Sequence, residues 1–441
     1  MKILYIIPYI PFPVNSGGSQ AVFSLTNHVR KEHDVSILLY VHNSKDRENA
    51  SRLQEKWPDV EFFLYEEKKD NTDDSELAGM SWKDRKTYRW YDYLQHSMFR
   101  KKERLAHKKQ MMLAVSTGQG DLVRSQSTLF VNNTDMASHA FLNYVKQVSS
   151  LGFDAIQVEF YEYLPLVYIL PPNVRKIFVH HEIRFIRCKN EMSLFKRVEP
   201  SDTILYEKEK AMELGALSAY DAIVTLTETD KQILSRYLDG DKITVSPAIT
   251  QTASYTPRPF SPASDLVFVG SGSHFPNMDA VLWFCREIVP KMKNRMKHLP
   301  AIYVVGIWDK KLVKSLTKFH PEVKFVGFVD DLQTFLNGKI SIVPIRIGSG
   351  MRIKILDSIF AAAPIVTTSK GCEGLPMTDH RNCLIADDAD AFAEAIERLQ
   401  SDLRLQERLV KCAMNATDNI LGEKRLVEKR LSVYTSSYIQ A

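Results

Sequence analysis

Cysteine is scarce in this chain: five among 441 residues, scattered as Cys188, Cys285, Cys372, Cys383 and Cys412, with no Cys-x-x-Cys pair. An odd, unclustered set argues against a disulfide framework or a zinc site and fits reduced thiols used as small apolar packing residues. Long hydrophobic runs are missing as well. No stretch of 18 apolar residues occurs, so no membrane-spanning helix is expected. The apolar start, Met1-Lys2-Ile3-Leu4-Tyr5-Ile6-Ile7, stops at Pro8, too soon for a secretory segment, and reads as a buried first strand. Charge of one sign is weak: 58 Lys and Arg against 53 Asp and Glu leave +5. That balance suits an anionic small ligand or a membrane surface and makes no case for nucleic acid. Two phosphate-binding fingerprints are also absent. No Gly-x-Gly-x-x-Gly of the dinucleotide type and no Gly-Lys-Ser/Thr loop is present, which removes nicotinamide enzymes and P-loop proteins from consideration.

What is present is an alternation of short β-branched runs with longer helical patterns, the mark of parallel sheets with crossover helices. In the first half the runs fall at residues 3–7, 35–40, 155–158, 176–179, 222–226 and 243–245, with a helix over 19–31. Residues 246–265 then gather Pro247, Pro257, Pro259 and Pro262 among Ser and Thr and read as a linker. The alternation restarts at 266–269, 301–305, 323–326, 340–343 and 364–367. A chain of 441 residues exceeds what one core usually serves. The expectation is α/β, with two Rossmann-like parallel-sheet domains facing across a cleft, 1–256 and 257–422. A charged helical insertion is expected at about 66–127, and a last helix at 423–441 packing back on the first domain.

The most informative run is Gly348-Ser349-Gly350-Met351-Arg352-Ile353-Lys354-Ile355-Leu356-Asp357, between the strand 340–343 and a helix. Glycines at such a turn let backbone approach a ligand, and free N–H groups at a helix start attract anions. Arg352 and Lys354 add positive charge beside them, and Arg grips phosphate bidentately. A diphosphate is the expected ligand; a plain turn with two solvated cations is the alternative reading of the same residues.

The run 343–358 resembles the nucleotide-binding signature of the retaining group-1 (family 4) glycosyltransferases of GT-B fold. The likeness continues through Pro364-Ile365-Val366-Thr367-Thr368, Gly371-Cys372-Glu373-Gly374-Leu375 and residues 382–388. It includes Phe268-Val269-Gly270-Ser271, Pro276-Asn277-Met278-Asp279-Ala280 and Gly327-Phe328-Val329-Asp330-Asp331-Leu332. In the first half it is looser, resting on residues 8–18, 154–159 and His180-His181-Glu182.

The resemblance implies that Asp357 takes the place of the second carboxylate of a Glu-x7-Glu motif, which meets the donor ribose. The first carboxylate falls at Ser349, which cannot supply that charge, so sugar contacts are expected from the backbone of Gly348, Ser349, Gly350 and Met351. Gly270 and Ser271 follow the second domain's first strand, where the family more often keeps an Arg/Lys pair; here that charge has moved to Arg352 and Lys354. Phe328 and Val329 resemble the loop framing the nucleotide base. Glu373 reads either as a ligand contact or as a helix cap. In the first domain, Asn15-Ser16-Gly17-Gly18-Ser19 offers small residues to face the donor phosphates, with a tight turn as the alternative. Glu159 ends a strand where an acceptor hydroxyl would sit, and His181 is preferred over His180 as a catalytic group.

The implied reaction moves a sugar from a UDP- or GDP-type donor to an acceptor hydroxyl on a glycan, lipid-linked or protein acceptor, with retention and without cofactor or metal. A sugar-nucleotide epimerase of the same fold and a non-catalytic nucleotide-sugar-binding module are the alternatives. Bacterial polysaccharide or glycoconjugate assembly in the cytoplasm is the expected setting. The basic-aromatic stretch 82–109 reads either as a core-facing helix or as a peripheral contact with the inner face of the membrane.

Overall fold

The computed structural model describes residues 1–14, 16–66, 119–130, 138–248, 258–418 and 423–435. Two all-parallel sheets organise them. The first has seven strands: β1 (Lys2–Ile7), β2 (Asp34–Val41), β3 (Glu61–Glu66), β4 (Ala155–Glu159), β5 (Arg175–His180), β6 (Ala222–Thr225) and β7 (Ile243–Val245). They lie in the order β3-β2-β1-β4-β5-β6-β7. The second has six: β8 (Asp265–Val269), β9 (Ile302–Val305), β10 (Val323–Gly327), β11 (Lys339–Val343), β12 (Ile365–Thr367) and β13 (Leu384–Ile385), in the order β10-β9-β8-β11-β12-β13.

The central strands are apolar on both faces because helices cover both, as β1 shows with Ile3 through Ile7 entirely buried. In each sheet the strand order reverses once, between β1 and β4 and between β8 and β11. The carboxyl ends at such a reversal diverge and open a crevice. Two crevices are therefore fixed by topology alone, and the glycine turn after β11 stands at the second.

Two strands escape the sequence reading. Residues 61–66 form the edge strand β3, whose half-buried residues and flanking Glu61 and Glu66 lack the continuous apolar run of an inner strand. Strand β13 is two residues long, too short for any period to show. The first helix runs Gly17–Val29, earlier than expected, because the Ser16 hydroxyl caps it by accepting from Ser19 N.

The stretches 82–94 and 99–113, expected to be helical, and the rest of 67–118 lie outside the described residues, as do Asn15 and 249–257 of the linker. Within the expected insertion, the helix Gln119–Gln126 packs against both the first-domain helix Arg184–Ser193 and the second-domain helix Phe275–Trp283. No helix among the described residues is long and apolar enough to cross a membrane. The helix Glu423–Thr435 returns to the first sheet, where Leu426, Val433 and Tyr434 join the core containing Ile3, Tyr5 and Ile37.

Candidate active site between the two sheets

The turn after β11 is shaped by two glycines in the left-handed region, Gly348 at φ 113° and Gly350 at φ 78°. At Gly350 the constraint is double, since a Cβ there would strike the carbonyl oxygen of His181 in the other domain. The two domains touch at this point. Ser349 reinforces it by accepting from the Ile183 backbone N–H at 2.7 Å. Met351 packs against the apolar cores of both domains. Ile353 approaches Gly17, where a Cβ would lie 3.1 Å from its Cδ1.

The first domain supplies its own crevice to this contact. A Cβ on Gly18 would collide with the Tyr9 hydroxyl and come within 3.3 Å of the Phe160 ring. Phe160 follows β4 at φ 67°, a left-handed conformation strained for a residue with a side chain. Its ring lies flat on the His181 imidazole, with centroids 3.8 Å apart and planes 7° from parallel. His181 Nε2 meets Glu159 Oε2 at 2.5 Å. By contrast, His180 is buried and paired with Glu213 at 2.8 Å, a carboxylate that also accepts from the backbone N–H groups of Arg184 and Phe185. His180 thus belongs to the fold and His181 to the cleft.

Charge is concentrated where the domains meet. Arg352 stands just before the helix Ile353–Phe360, and its side chain, instead of capping that helix, folds back on its own turn, donating to the carbonyl oxygens of Ser349, Gly350 and Ile347. Glu182 reaches over from the first domain. A Cβ on Gly348 would lie 2.8 Å from both Arg352 Nη2 and Glu182 Oε1, so the two side chains converge on that glycine. Burial raises the Glu182 carboxyl, but Arg187, in an ion pair at 2.9 Å, together with Arg184 and Arg352, outweighs it and holds it at about 2. Arg352 Nε and Glu373 Oε2 are buried without hydrogen-bond partners among the described residues. Unmet capacity of this kind beside a cleft fits an arriving polar ligand.

Lys354 and Asp357 lie one turn deeper. Lys354 Nζ donates to Asn277 Oδ1 at 2.7 Å and lies over the Phe268 ring. Asn277 in turn packs beneath Gly270 and donates to the Ser271 carbonyl at 2.9 Å. The ammonium therefore reaches the end of β8 from a helix that follows β11, which gives a physical route for the displaced charge. Burial, with Arg352 adding, pushes Lys354 down to about 7. Burial pushes Asp357 up to about 7, with Lys354 opposing.

The structure gathers Gly17, Gly18, Glu159, His181, Gly348, Ser349, Gly350, Met351 and Arg352 at one contact, with Lys354, Asp357, Gly270 and Ser271 alongside. Phe328 and Val329 stay apart at the end of β10, Phe328 exposed and Val329 packed in a small apolar cluster with Val267 and Val305. Two side chains of the expected set are engaged within the protein itself. The Ser349 hydroxyl is engaged by Ile183. Glu373 caps no helix; it pairs with Lys370 at 2.7 Å. Tyr9, Phe160, Gln157, Asn277 and Arg187 were not singled out from the sequence. Tyr9, Gln157 and Asn277 fall inside the runs 8–18, 154–159 and 276–280 of the resemblance without a role of their own, and Phe160 and Arg187 lie outside it.

Residues 263–402 match the family model of the glycosyl transferases group 1. No curated protein sequence matches the chain. Among solved structures, TarM of S. aureus, crystallised as a point mutant in complex with fondaparinux, alpha-GlcNAc-glycerol and UDP, superposes with a TM-score of 0.63 at 12% identity, covering 99% of this chain and 100% of that one. HepE of Anabaena, in complex with UDP and glucose, gives 0.62 at 10% identity over 99% and 100%. Sucrose-phosphate synthase of Thermosynechococcus elongatus gives 0.63 at 12% over 99% and 98%. Identities this low speak to fold, and the fold they share with this chain is GT-B. With a group 1 glycosyltransferase domain at residues 263–402 inside that fold, the chain is a GT-B glycosyltransferase.

Proposed function

We propose that this protein transfers a sugar from a nucleoside diphosphate donor to an acceptor hydroxyl with retention of configuration. The observation that carries the reading is the meeting of the cationic turn, with Arg352 and Lys354, against His181 and Glu159 at the carboxyl ends of β5 and β4. As the glycosidic bond breaks, negative charge grows on the β-phosphate. Arg352, Lys354 and the amides of the turn would neutralise it where it develops, in place of a metal ion. His181 and Glu159 face the sugar and the incoming hydroxyl. Attack comes from the same face as the departing phosphate, which takes the hydroxyl proton. Asp357 would meet the ribose. The acceptor is a glycan or glycoconjugate of polysaccharide assembly, and the donor is of UDP or GDP type.

A thermal-unfolding panel with UDP, GDP and ADP tests the reading. At saturation one nucleotide should stabilise the protein by about 2–3 kcal/mol; no response to any of the three removes the donor site.

A further inference from the structure

Behind His181 a run of buried hydrogen bonds leads out of the cleft and into the last helix. Glu159 holds His181 through Oε2, while its Oε1 accepts from Gln157 Nε2 at 2.5 Å. With its amide donating forward, Gln157 turns Oε1 backward, where it accepts from the Tyr434 hydroxyl at 2.6 Å. That proton being committed, the Tyr434 oxygen accepts from Tyr5, whose hydroxyl lies 2.7 Å away. Tyr5, Gln157, Glu159 and Tyr434 are each at most 2% exposed. Water does not repair a mismatch there, so every donor must face an acceptor.

The direction of the run follows from its end. An ionised Glu159 only accepts, so turning the Gln157 amide around would press two acceptors together. For the same reason His181 Nε2 must carry a proton, which leaves Nδ1 as the accepting nitrogen of the neutral ring. The last helix adds a second hold. Arg430 donates to Ser246 Oγ at 3.0 Å and lines a small, partly open pocket together with Glu159 and His181. The other titratable groups around this run, among the described residues, include Arg430, whose charge reaches Tyr434 and Tyr5, His33, whose ring lies edge-on to Tyr434 at 5.8 Å, Glu182, next in the chain to His181, and Tyr9, whose hydroxyl feels the Glu159 charge.

We propose that Tyr434 and Gln157 are positioning residues for His181, so that the last helix of the chain sets the tautomer and orientation of the cleft imidazole through Glu159. This rests on the reading of His181 as a group at the reacting end of the cleft.

The test uses the full chain with ¹⁵N-labelled histidine, the His181 signals being assigned by their loss in His181→Gln. In the unaltered protein neutral His181 should be the Nε2–H tautomer. Tyr434→Phe keeps the ring and removes the hydroxyl, which loosens Gln157 and with it the Glu159 carboxylate that Gln157 pins against His181 Nε2. His181 should then populate both tautomers, read from its Nδ1 and Nε2 chemical shifts. Gln157→Met should do the same from the middle of the run. With a donor and acceptor in hand, kcat should fall about 10-fold in Tyr434→Phe while the donor KM stays within about twofold, a part of the ~10²–10⁴ that a positioned acid or base supplies. An unchanged tautomer in both variants overturns the proposal. The spectroscopic readout needs no substrate, so the two readings fail separately. A shifted tautomer in a protein that transfers no sugar removes the proposed function and keeps the positioning run; transfer with an indifferent His181 does the reverse.

Discussion

On the second-domain side of the cleft, Gly348, Ser349, Gly350, Met351, Arg352 and Lys354 are neighbours in the chain, set in place by one strand and one helix. On the first-domain side, Gly17, Glu159, Phe160, His181 and Glu182 arrive from the ends of three strands far apart in sequence, and the last helix stands behind them. The first arrangement depends on local backbone geometry: two left-handed glycines and a helix start. The second depends on sheet order, since only the adjacency of β1, β4 and β5 brings those residues together. A local site tolerates change elsewhere in the protein but not within itself. A composite one is sensitive to distant packing.

That contrast is sharpest if the cations are removed. Arg352→Ala with Lys354→Ala should lower transfer by about 10³-fold or more, since a single lost transition-state donor costs about 10²–10³. Circular dichroism and the melting midpoint should stay near those of the parent, and retained turnover would place the phosphate site elsewhere. Gly350→Ala strikes a point where both halves meet. A left-handed alanine costs about 1–2 kcal/mol by itself, and its Cβ would push on the His181 carbonyl, so stability in urea and transfer should both fall, the latter by about 10²-fold as the halves separate. If Gly350→Ala leaves transfer intact, the close approach seen here is not the reacting geometry.

A smaller effect concerns protons. Burial holds Lys354 near 7, so at pH 8 it is mostly neutral while Asp357 is already ionised. A diphosphate would restore the ammonium, and binding should take up to about one proton and weaken as pH rises above 7. Calorimetry of UDP or GDP in buffers of different ionisation enthalpy reads this directly; in Lys354→Met the uptake should vanish. The signs also oppose each other in the unliganded protein. A raised Asp357 loses its stabilising contribution as pH climbs from 3.8 towards 7. A depressed Lys354 regains stability between 7 and 10.5. The buried pair is therefore least favourable near neutrality, where a donor's negative charge would favour the ammonium. Smallest of all, Ser349→Ala should cost about 1 kcal/mol, the worth of one buried hydrogen bond to Ile183, measured by chemical denaturation. A much larger loss would mean that Ser349 also orders the turn itself.

The same contrast explains what was legible in the sequence. The inner strands announced themselves through unbroken β-branched runs, and the run 348–357 carried glycines, cations and a helix start within one short segment. The edge strand at 61–66 did not, because a half-buried strand flanked by glutamates has no distinctive period. Glu159 and His181 could be named as strand ends, but their 2.5 Å contact could not, since it is made by the pairing of β4 with β5. Phe160 was missed because nothing in a sequence marks a phenylalanine at positive φ. Tyr434 was missed because its partner at Gln157 is brought to it only when the last helix crosses back to the first sheet.

That crossing also orders events during synthesis. The first sheet is translated early, yet its core lacks Leu426, Val433 and Tyr434 until residues 423–435 have also left the ribosome. Until then Tyr5 and Gln157 have no hydroxyl to bond, and the apolar surface awaiting the last helix stays open. A nascent chain can therefore assemble its second domain before its first is closed, and the imidazole in the cleft is tethered only when both are complete.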